Sequence, residues 1–298
     1  MSSKELFDPQ NYKKKGFDDR IVRYEQIYGI EDKYYQILMS IIDPQEGEVI
    51  FEGCAGYADV SKHIIGATKN FKNKPEIYLQ DESIVQIKRA HEELQLSGNK
   101  NHMLLGDIRA TGMPQNKFDK AVIKMGIHEL PKKEQLKIFT EMYRILKPEG
   151  KFVICEWLLN ENTQKIFQDV IRKKDELAGF DAMVQNRYFP KYEELQKLFK
   201  DVGFKNVKDE YSIQHTFNPK RLNEELISKN RLQILNEKGI LSLEDENKLN
   251  FLGQERINIL VQYMRERISE KEKVKVGCKE TSNNIEIKID EIIMSGKK

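Results

Sequence analysis

The stretch Glu48-Val-Ile-Phe-Glu-Gly-Cys-Ala-Gly-Tyr-Ala58 decides the fold: a short apolar run is cut by Gly53 and Gly56, and Val60, Ile64 and Ile65 then follow at helical spacing. This is strand, glycine turn, helix. Glycine lacks a Cβ, so such a turn brings backbone close to a nucleotide ligand, although a glycine also stands there merely to make a tight turn. The pattern recurs downstream. Glu76 to Gln80 leads into a helix with Ile84, Ile87, Ala90 and Leu94 on one face, and Asn101 to Leu105 ends at Gly106-Asp107. Further apolar runs occupy 120–123 and 151–154. Between them, Leu136, Phe139, Met142 and Leu146 define a helix stopped by Lys147-Pro148 and Gly150. Strands alternating with helices predict an α/β fold with a mostly parallel sheet covered on both faces.

Outward from this core, residues 1–47 carry many aromatics, Tyr12 and Tyr24 among them, and read as one or two amphipathic helices forming an N-terminal cap. The core itself spans 48–218. It includes a helix over 192–202 with Gly203 just past its end and a strand from Val207 to Phe217. Residues 219–272 turn charged and helical, with a break at Lys238-Gly239 and a capping box at Ser242 and Asp245. Residues 273–298 hold a final alternating strand from Ile285.

Composition narrows the function. Lys plus Arg (50) nearly balances Asp plus Glu (48), so the chain has no general electrostatic grip on nucleic acid or an anionic membrane. The partner expected is a small molecule. Cys54, Cys155 and Cys278 are far apart with no CxxC pair, which excludes a zinc ribbon and predicts reduced thiols in a cytoplasmic protein, with no metal. The first residues contain no apolar signal segment, and no run approaches the roughly 20 apolar residues that span a bilayer.

Three further features join the glycine loop. Asp81, followed by Glu82, ends the second strand, where a carboxylate can accept both ribose hydroxyls of a nucleotide; the alternative is a cap on the next helix. Asp107 at the end of the third strand can accept from an adenine amine while Ile108 packs on the ring. The third is the stretch from Phe118, through the fourth strand and Lys124-Met125-Gly126-Ile127-His128-Glu129 just after it, to Pro131, followed by Arg144-Ile-Leu-Lys-Pro-Glu-Gly150.

The ordered set resembles the class I S-adenosylmethionine (SAM) methyltransferases, in particular the small-molecule branch with a methyltransferase 11/25 type of core. That family shows acidic-x-Gly-x-Gly-x-Gly, an acidic residue followed by x-Ser, Gly-Asp, a Phe-Asp strand ending in Leu-His-His-Leu, and Leu-Lys-Pro-Gly-Gly. The resemblance covers about 45–217 and the final strand. It implies a Rossmann-like three-layer sandwich with seven strands, the last antiparallel and inserted beside the fifth. It also implies that Glu52, Gly53, Cys54 and Gly56 flank the methionine part of SAM. Asp81 with Glu82 would bind ribose, Asp107 and Ile108 adenine, and Lys124 with Met125 would edge the sulfonium. With Glu52 as the acidic residue, Cys54 and Ala58 replace the first and third glycines; the other register puts Phe51 at the acidic position.

The expected activity is methyl transfer to a small molecule, leaving S-adenosylhomocysteine, with His128 near the methyl as a candidate to take a proton. A histidine satisfied within the turn is the alternative. Trp157 and Tyr188, with Tyr12 and Tyr24, are candidates for the acceptor wall or for core. Segment 219–272 would be a lid, or else a packing or homodimerisation element. Two other classes stay open: a SAM binder of this fold that transfers no methyl, and a protein or nucleic-acid methyltransferase, against which stands the lack of an Asn-Pro-Pro-Tyr motif or basic stripe.

Overall fold

The computed structural model describes residues 32–180 and 186–298; the candidate residues Tyr12 and Tyr24 and most of the N-terminal cap lie outside these. Eight strands form the sheet: β1 (Val49–Gly53), β2 (Glu76–Asp81), β3 (Asn101–Leu105), β4 (Phe118–Lys124), β5 (Leu146–Leu158), β6 (Lys205–Phe217), β7 (Lys279–Glu280) and β8 (Ile285–Lys297). Their order is β3-β2-β1-β4-β5-β8-β6, with the two-residue β7 paired to β8. Strands β1 to β5 are parallel, and β8 runs antiparallel between β5 and β6. The seven-strand path is therefore the expected one, and β7 is an addition to it.

The central strands are buried on both faces, which is why they read as unbroken apolar runs. Ile50 and Phe51 of β1 point into different clusters. Ile50 joins α1 (Asp32–Ile42), α2 (Asp59–Ala67) and α3 (Ile84–Leu94) through Leu38, Ile64 and Ala90. Phe51 joins α4 (Lys132–Ile145) and α6 (Tyr192–Val202) through Phe139 and Phe199. Sheet order reverses between β1 and β4, so a crevice opens outside the carboxyl ends of the strands at that point, the usual place for a ligand in an open α/β sheet.

Two elements differ from expectation. β5 begins at Leu146, directly after α4, rather than at Lys151. Its pairing with β4 shifts register between Phe118 and Lys120, so Pro148 falls in an irregular stretch that needs no ladder donor. Helix α5 (Gln164–Leu177) was not anticipated. Its buried side includes Lys174 and Asp175 beside Ile166, Phe167, Val170 and Ile171, and those charges mask the apolar period.

Helices α7 (Lys220–Lys238), α8 (Leu243–Arg267) and α9 (Glu270–Lys275) form the late helical segment. Gly239 ends α7 at φ 74°, and Ser242 with Asp245 makes the capping box of α8 as the spacing predicts. Leu222, Ile257, Leu260 and Met264 share one buried cluster with Phe167 of α5 and Ile287 of β8. These helices are thus packed into the core. β5 ends at Leu158, opposite Asp290, while β6 and β8 continue to Phe217 opposite Ile287, so this half of the sheet rises past the ends of β1 to β4. No helix among the described residues is long and apolar enough to cross a membrane.

Candidate active site

The glycine loop after β1 holds three residues in the left-handed region: Cys54 (φ 52°), Gly56 (φ 52°) and Ala58 (φ 62°). Only glycine adopts this region freely, and an L side chain there costs about 1 kcal/mol or more. The conformation is therefore held by surroundings. Cys54 and Ala58 stand where the glycines would be with Glu52 as the acidic residue, and both have the positive φ that glycine favours.

Glu52 lies beneath the loop, where its carboxylate accepts from Ser61 N at 2.9 Å and from Ser61 Oγ in the first turn of α2. Burial pushes its pKa up to about 7, against the pull of the Ser61 hydrogen bonds. Asp81 ties the loop to β2. It accepts from Gly56 N at 2.9 Å and Ser83 N at 2.8 Å, and burial raises its pKa to about 6. The helix cap is Ser83, whose side chain accepts from Gln86 N, so Asp81 is not an N-cap. Glu82 follows it, half-buried, at the same edge.

Backbone bonds from Ala55 N to Gln80 O (3.0 Å) and Gly106 N to Asp81 O (3.0 Å) fasten the ends of β1, β2 and β3 together. Asp107 is buried, and Arg109 holds both its oxygens through Nε at 2.9 and 3.0 Å and through Nη2, while Arg109 Nη1 reaches Glu134 at 2.9 Å. Ile108 leans over Gly53; a Cβ there would sit 2.4 Å from Ile108 Cδ1. Under Gly106, the buried Gln80 Oε1 has no hydrogen-bond partner among the described residues. These features make a crevice edge with carboxylates at two strand ends, an apolar side chain beside them and an open acceptor below, which suits a nucleoside.

The turn after β4 closes the opposite wall. Lys124 Nζ lies 5.9 and 5.7 Å from the rings of Tyr34 and Tyr35 in α1, and Met125 (φ 54°) donates its N–H to Cys155 O at 2.9 Å. Gly126 abuts the loop, and a Cβ there would meet Cys54 Cβ at 2.5 Å and Sγ at 2.7 Å. Gly126→Val should therefore push turn and loop apart; we expect a loss of stability of about 1–3 kcal/mol, the usual overpacking cost, with thermal unfolding as the check. Burial, followed by the nearby carboxylates of Asp81, Glu82, Glu129 and Asp107, holds the Cys54 thiol well above its ordinary pKa, so it stays protonated.

His128 sits in a 3-10 turn, Ile127–Glu129. Its Nδ1 is 2.7 Å from Glu156 Oε1, its backbone N–H reaches Glu156 Oε2 at 3.2 Å, and its Nε2 is 3.4 Å from Glu129 Oε1. The ring stacks on Phe189 at 4.7 Å. Burial opposes a charge on the imidazole, but Glu156 and Glu129 outweigh it and raise the pKa to about 9. At neutral pH the ring already carries the proton it was expected to take.

The aromatic candidates divide. Trp157 is buried in the core against Phe167 (5.4 Å) and His215 (5.7 Å), which fits the core alternative and not a wall open to an acceptor. Tyr188 turns its hydroxyl to Glu194 at 2.8 and 2.9 Å, toward α6, while its N–H meets His128 O at 3.0 Å. Sequence reasoning missed Arg109, Glu156, Arg187 and the buried trio Tyr34, Glu291 and His215. In that trio Glu291 accepts from Tyr34 and lies 2.8 Å from His215 Nε2. A glutamate inside an apolar strand, as at Glu156 and Glu291, was the available clue. Among the described residues, no group of His, Cys, Asp and Glu could hold a metal ion.

A sheet of this order, with its glycine turn, its carboxylates after β2 and β3 and its closing turn after β4, defines a class I SAM-dependent methyltransferase. The ubiE/COQ5 methyltransferase family model matches residues 24–217. A ubiquinone/menaquinone biosynthesis C-methyltransferase (UbiE) of Roseobacter denitrificans is 23% identical over 192 residues, covering 60% of this chain and 75% of that protein. A demethylmenaquinone methyltransferase of Anoxybacillus flavithermus is 26% identical over 183 residues, covering 57% and 75%. The YcgJ protein of Bacillus subtilis has the same fold, with a TM-score of 0.65 at 13% identity over 90% of this chain and 99% of that one. The chain belongs to the ubiE/COQ5 methyltransferase family, and it is a SAM-dependent methyltransferase acting on a small-molecule acceptor.

Proposed function

We propose that the chain methylates a ring carbon of a reduced quinone-type acceptor, the substrate class in the names of its relatives. Gly53, Cys54 and Gly56, braced from below by Glu52, would take the methionine part of SAM. Asp81 with Glu82 would take the ribose, Asp107 with Ile108 the adenine, and Lys124 with Met125 would border the sulfonium. When bound, SAM supplies a methyl on a positive sulfur, and its in-line displacement by the acceptor carbon leaves the neutral thioether of S-adenosylhomocysteine. What supports the assignment is the left-handed loop at Cys54, Gly56 and Ala58, joined to the Asp81 carboxylate through Gly56 N–H.

The remaining chemistry is positioning and proton release. A hydroquinone-type ring becomes a carbon nucleophile once its hydroxyl has given its proton to solvent, and after the methyl has moved to the ring carbon the hydrogen displaced there leaves as a proton to water, restoring the aromatic ring. His128, charged below a pH of about 9, would donate from Nε2 to that oxygen and stabilise the charge as it forms. Its contact to Glu129 at 3.4 Å is long enough to be shared. Glu156 holds the other ring nitrogen and so fixes the imidazole plane. Helices α5, α7 and α8, raised past the strand ends with β6 and β8, would wall the acceptor side.

Calorimetric titration with SAM and S-adenosylhomocysteine tests the cofactor half, and wild-type protein that binds neither overturns it. Asp81→Asn should weaken SAM binding about 10- to 100-fold, the worth of hydrogen bonds to a charged group. Because the free carboxyl has a pKa of about 6, wild-type affinity should fall as pH drops through 6, and the asparagine variant should lose that dependence. Incubation with SAM and reduced demethylated naphthoquinone, read by mass spectrometry for one added methyl, tests the acceptor half.

A further inference from the structure

A chain of buried ion pairs leaves the candidate active site and ends on the late helical segment. It starts at Glu156 on β5, passes to His128 and Glu129 on the turn after β4, and continues to Arg187. Arg187 Nε and Nη2 hold the two oxygens of Glu129 at 2.6 and 2.5 Å, and its Nη1 meets Asp175 of α5 at 2.5 Å. Lys174 lies 2.8 Å from Asp175 and 2.6 Å from Glu225 of α7. Arg187 is 3% exposed, Lys174 1% and Glu156 0%. Nothing in the proposed methyl transfer uses Arg187, Asp175, Lys174 or Glu225.

Burying this many charges is not a cheap route to stability, since well-packed apolar side chains of similar volume do as well or better. What such a network does supply is geometry. The guanidinium fork is planar and rigid, and it meets a carboxylate in two parallel bonds that a lysine cannot reproduce. Around Arg187 the backbone adds to the same attachment. Tyr188 N donates to His128 O at 3.0 Å, and Gln135 Nε2 donates to Ile127 O, Leu130 O and Tyr188 O at 3.1, 3.1 and 2.7 Å. Phe189 lies flat on the His128 ring. The turn is therefore built from four segments of the fold: its own residues, Gln135 of α4, the end of β5 and residues 186–190.

We infer that Arg187 is a positioning residue for methyl transfer: by clamping both oxygens of Glu129 it fixes the turn Ile127–Glu129, and with it the His128 imidazole, against the end of β4. The inference rests on the role proposed above for His128. It assigns no contact between Arg187 and either substrate. Among the described residues, the charged groups that bear on the imidazole are Glu156 from β5, Glu129 from its own turn, Arg187 beyond Glu129, and, behind Arg187, Asp175 and Lys174 of α5 and Glu225 of α7.

The test compares wild type with Arg187→Gln, Arg187→Lys, Glu129→Gln and the Arg187→Gln/Glu129→Gln double variant, in the full chain with SAM and reduced demethylated naphthoquinone. The clamp requires kcat to fall at least about tenfold in Arg187→Gln, as misplacement of a catalytic group does, while the dissociation constant for SAM stays within about threefold. Arg187→Lys should recover part of the loss. The double variant should be no slower than the worse single variant, because both remove one contact. The second readout needs no acceptor: with labelled histidine, the NMR titration midpoint of His128 should move up by about half a unit or more in Arg187→Gln, since Glu129 loses the cation that competes for it, and down in Glu129→Gln. An unshifted midpoint, additive losses, or a loss shared equally by kcat and SAM affinity overturns the clamp. If Arg187→Gln does not fold, Arg187→Lys and Glu129→Gln decide by the same midpoint. If His128→Asn leaves kcat unchanged, the role of His128 fails, and the NMR midpoint still judges the clamp.

Discussion

Replacing His128 with asparagine should lower kcat by about 10²- to 10⁴-fold at neutral pH, the range a positioned proton-handling group contributes, with SAM affinity nearly unchanged. Asparagine is chosen because its amide can still donate to Glu156 where Nδ1 does now, at 2.7 Å, so the buried carboxylate keeps a partner. What disappears is the charged donor at Nε2. The pH dependence has a definite sign. With its folded pKa raised from 6.5 to about 9, His128 acts as donor below that value, and kcat should decline as pH rises through about 9. Its contribution to stability follows the same course: fully present below about 6.5 and lost as pH climbs through about 9. Glu52, raised to about 7, adds a decline in the same direction at lower pH. Steady-state rates and thermal unfolding across pH 6 to 10 measure both; a pH-rate profile in His128→Asn that matches wild type would remove the residue from the mechanism.

Lys174→Met should be the most destabilising single change proposed here. The substitution keeps length and apolar stem but leaves Asp175 and Glu225 facing each other without the cation between them, in a place where Lys174 is 1% exposed. Breaking one partner out of a buried ion network costs about 3–5 kcal/mol. At roughly 2–4 °C per kcal/mol for a chain of this size, unfolding should come on the order of 10 °C earlier. A double variant, Lys174→Met with Glu225→Leu, should recover part of that loss, because it removes a carboxylate that has lost its lysine, while Asp175 keeps Arg187. Calorimetric unfolding of the three proteins would show it.

Much of the sheet was legible because its central strands are buried on both faces, so Val49 to Phe51 and Ala121 to Ile123 announce themselves as apolar runs closed by glycine or a charged residue. The carboxylates Asp81 and Asp107 were legible too, since each ends such a run. Helix α5 was hidden by the lysine and aspartate in its buried face, and β5 by a proline that usually ends an element. The ion-pair chain was out of reach for another reason. Its partners lie 28, 58 and 51 residues apart, and no local period connects them. The strain at Cys54 and Ala58 was likewise invisible, because only a φ value shows that two non-glycine residues have kept a glycine conformation.

The place of β8 has a consequence for how the protein is made on the ribosome. This strand, residues 285–297, fills the gap between β5 and β6, and both are synthesised well before it. Until it emerges, each of those strands presents a bare row of N–H and C=O groups, and β6 has no sheet to join. The nascent chain therefore passes through a stage with two open edges, separated from rescue by the synthesis of three helices. Chains released early, anywhere between β6 and β8, would be permanent forms of that stage and natural clients for chaperones.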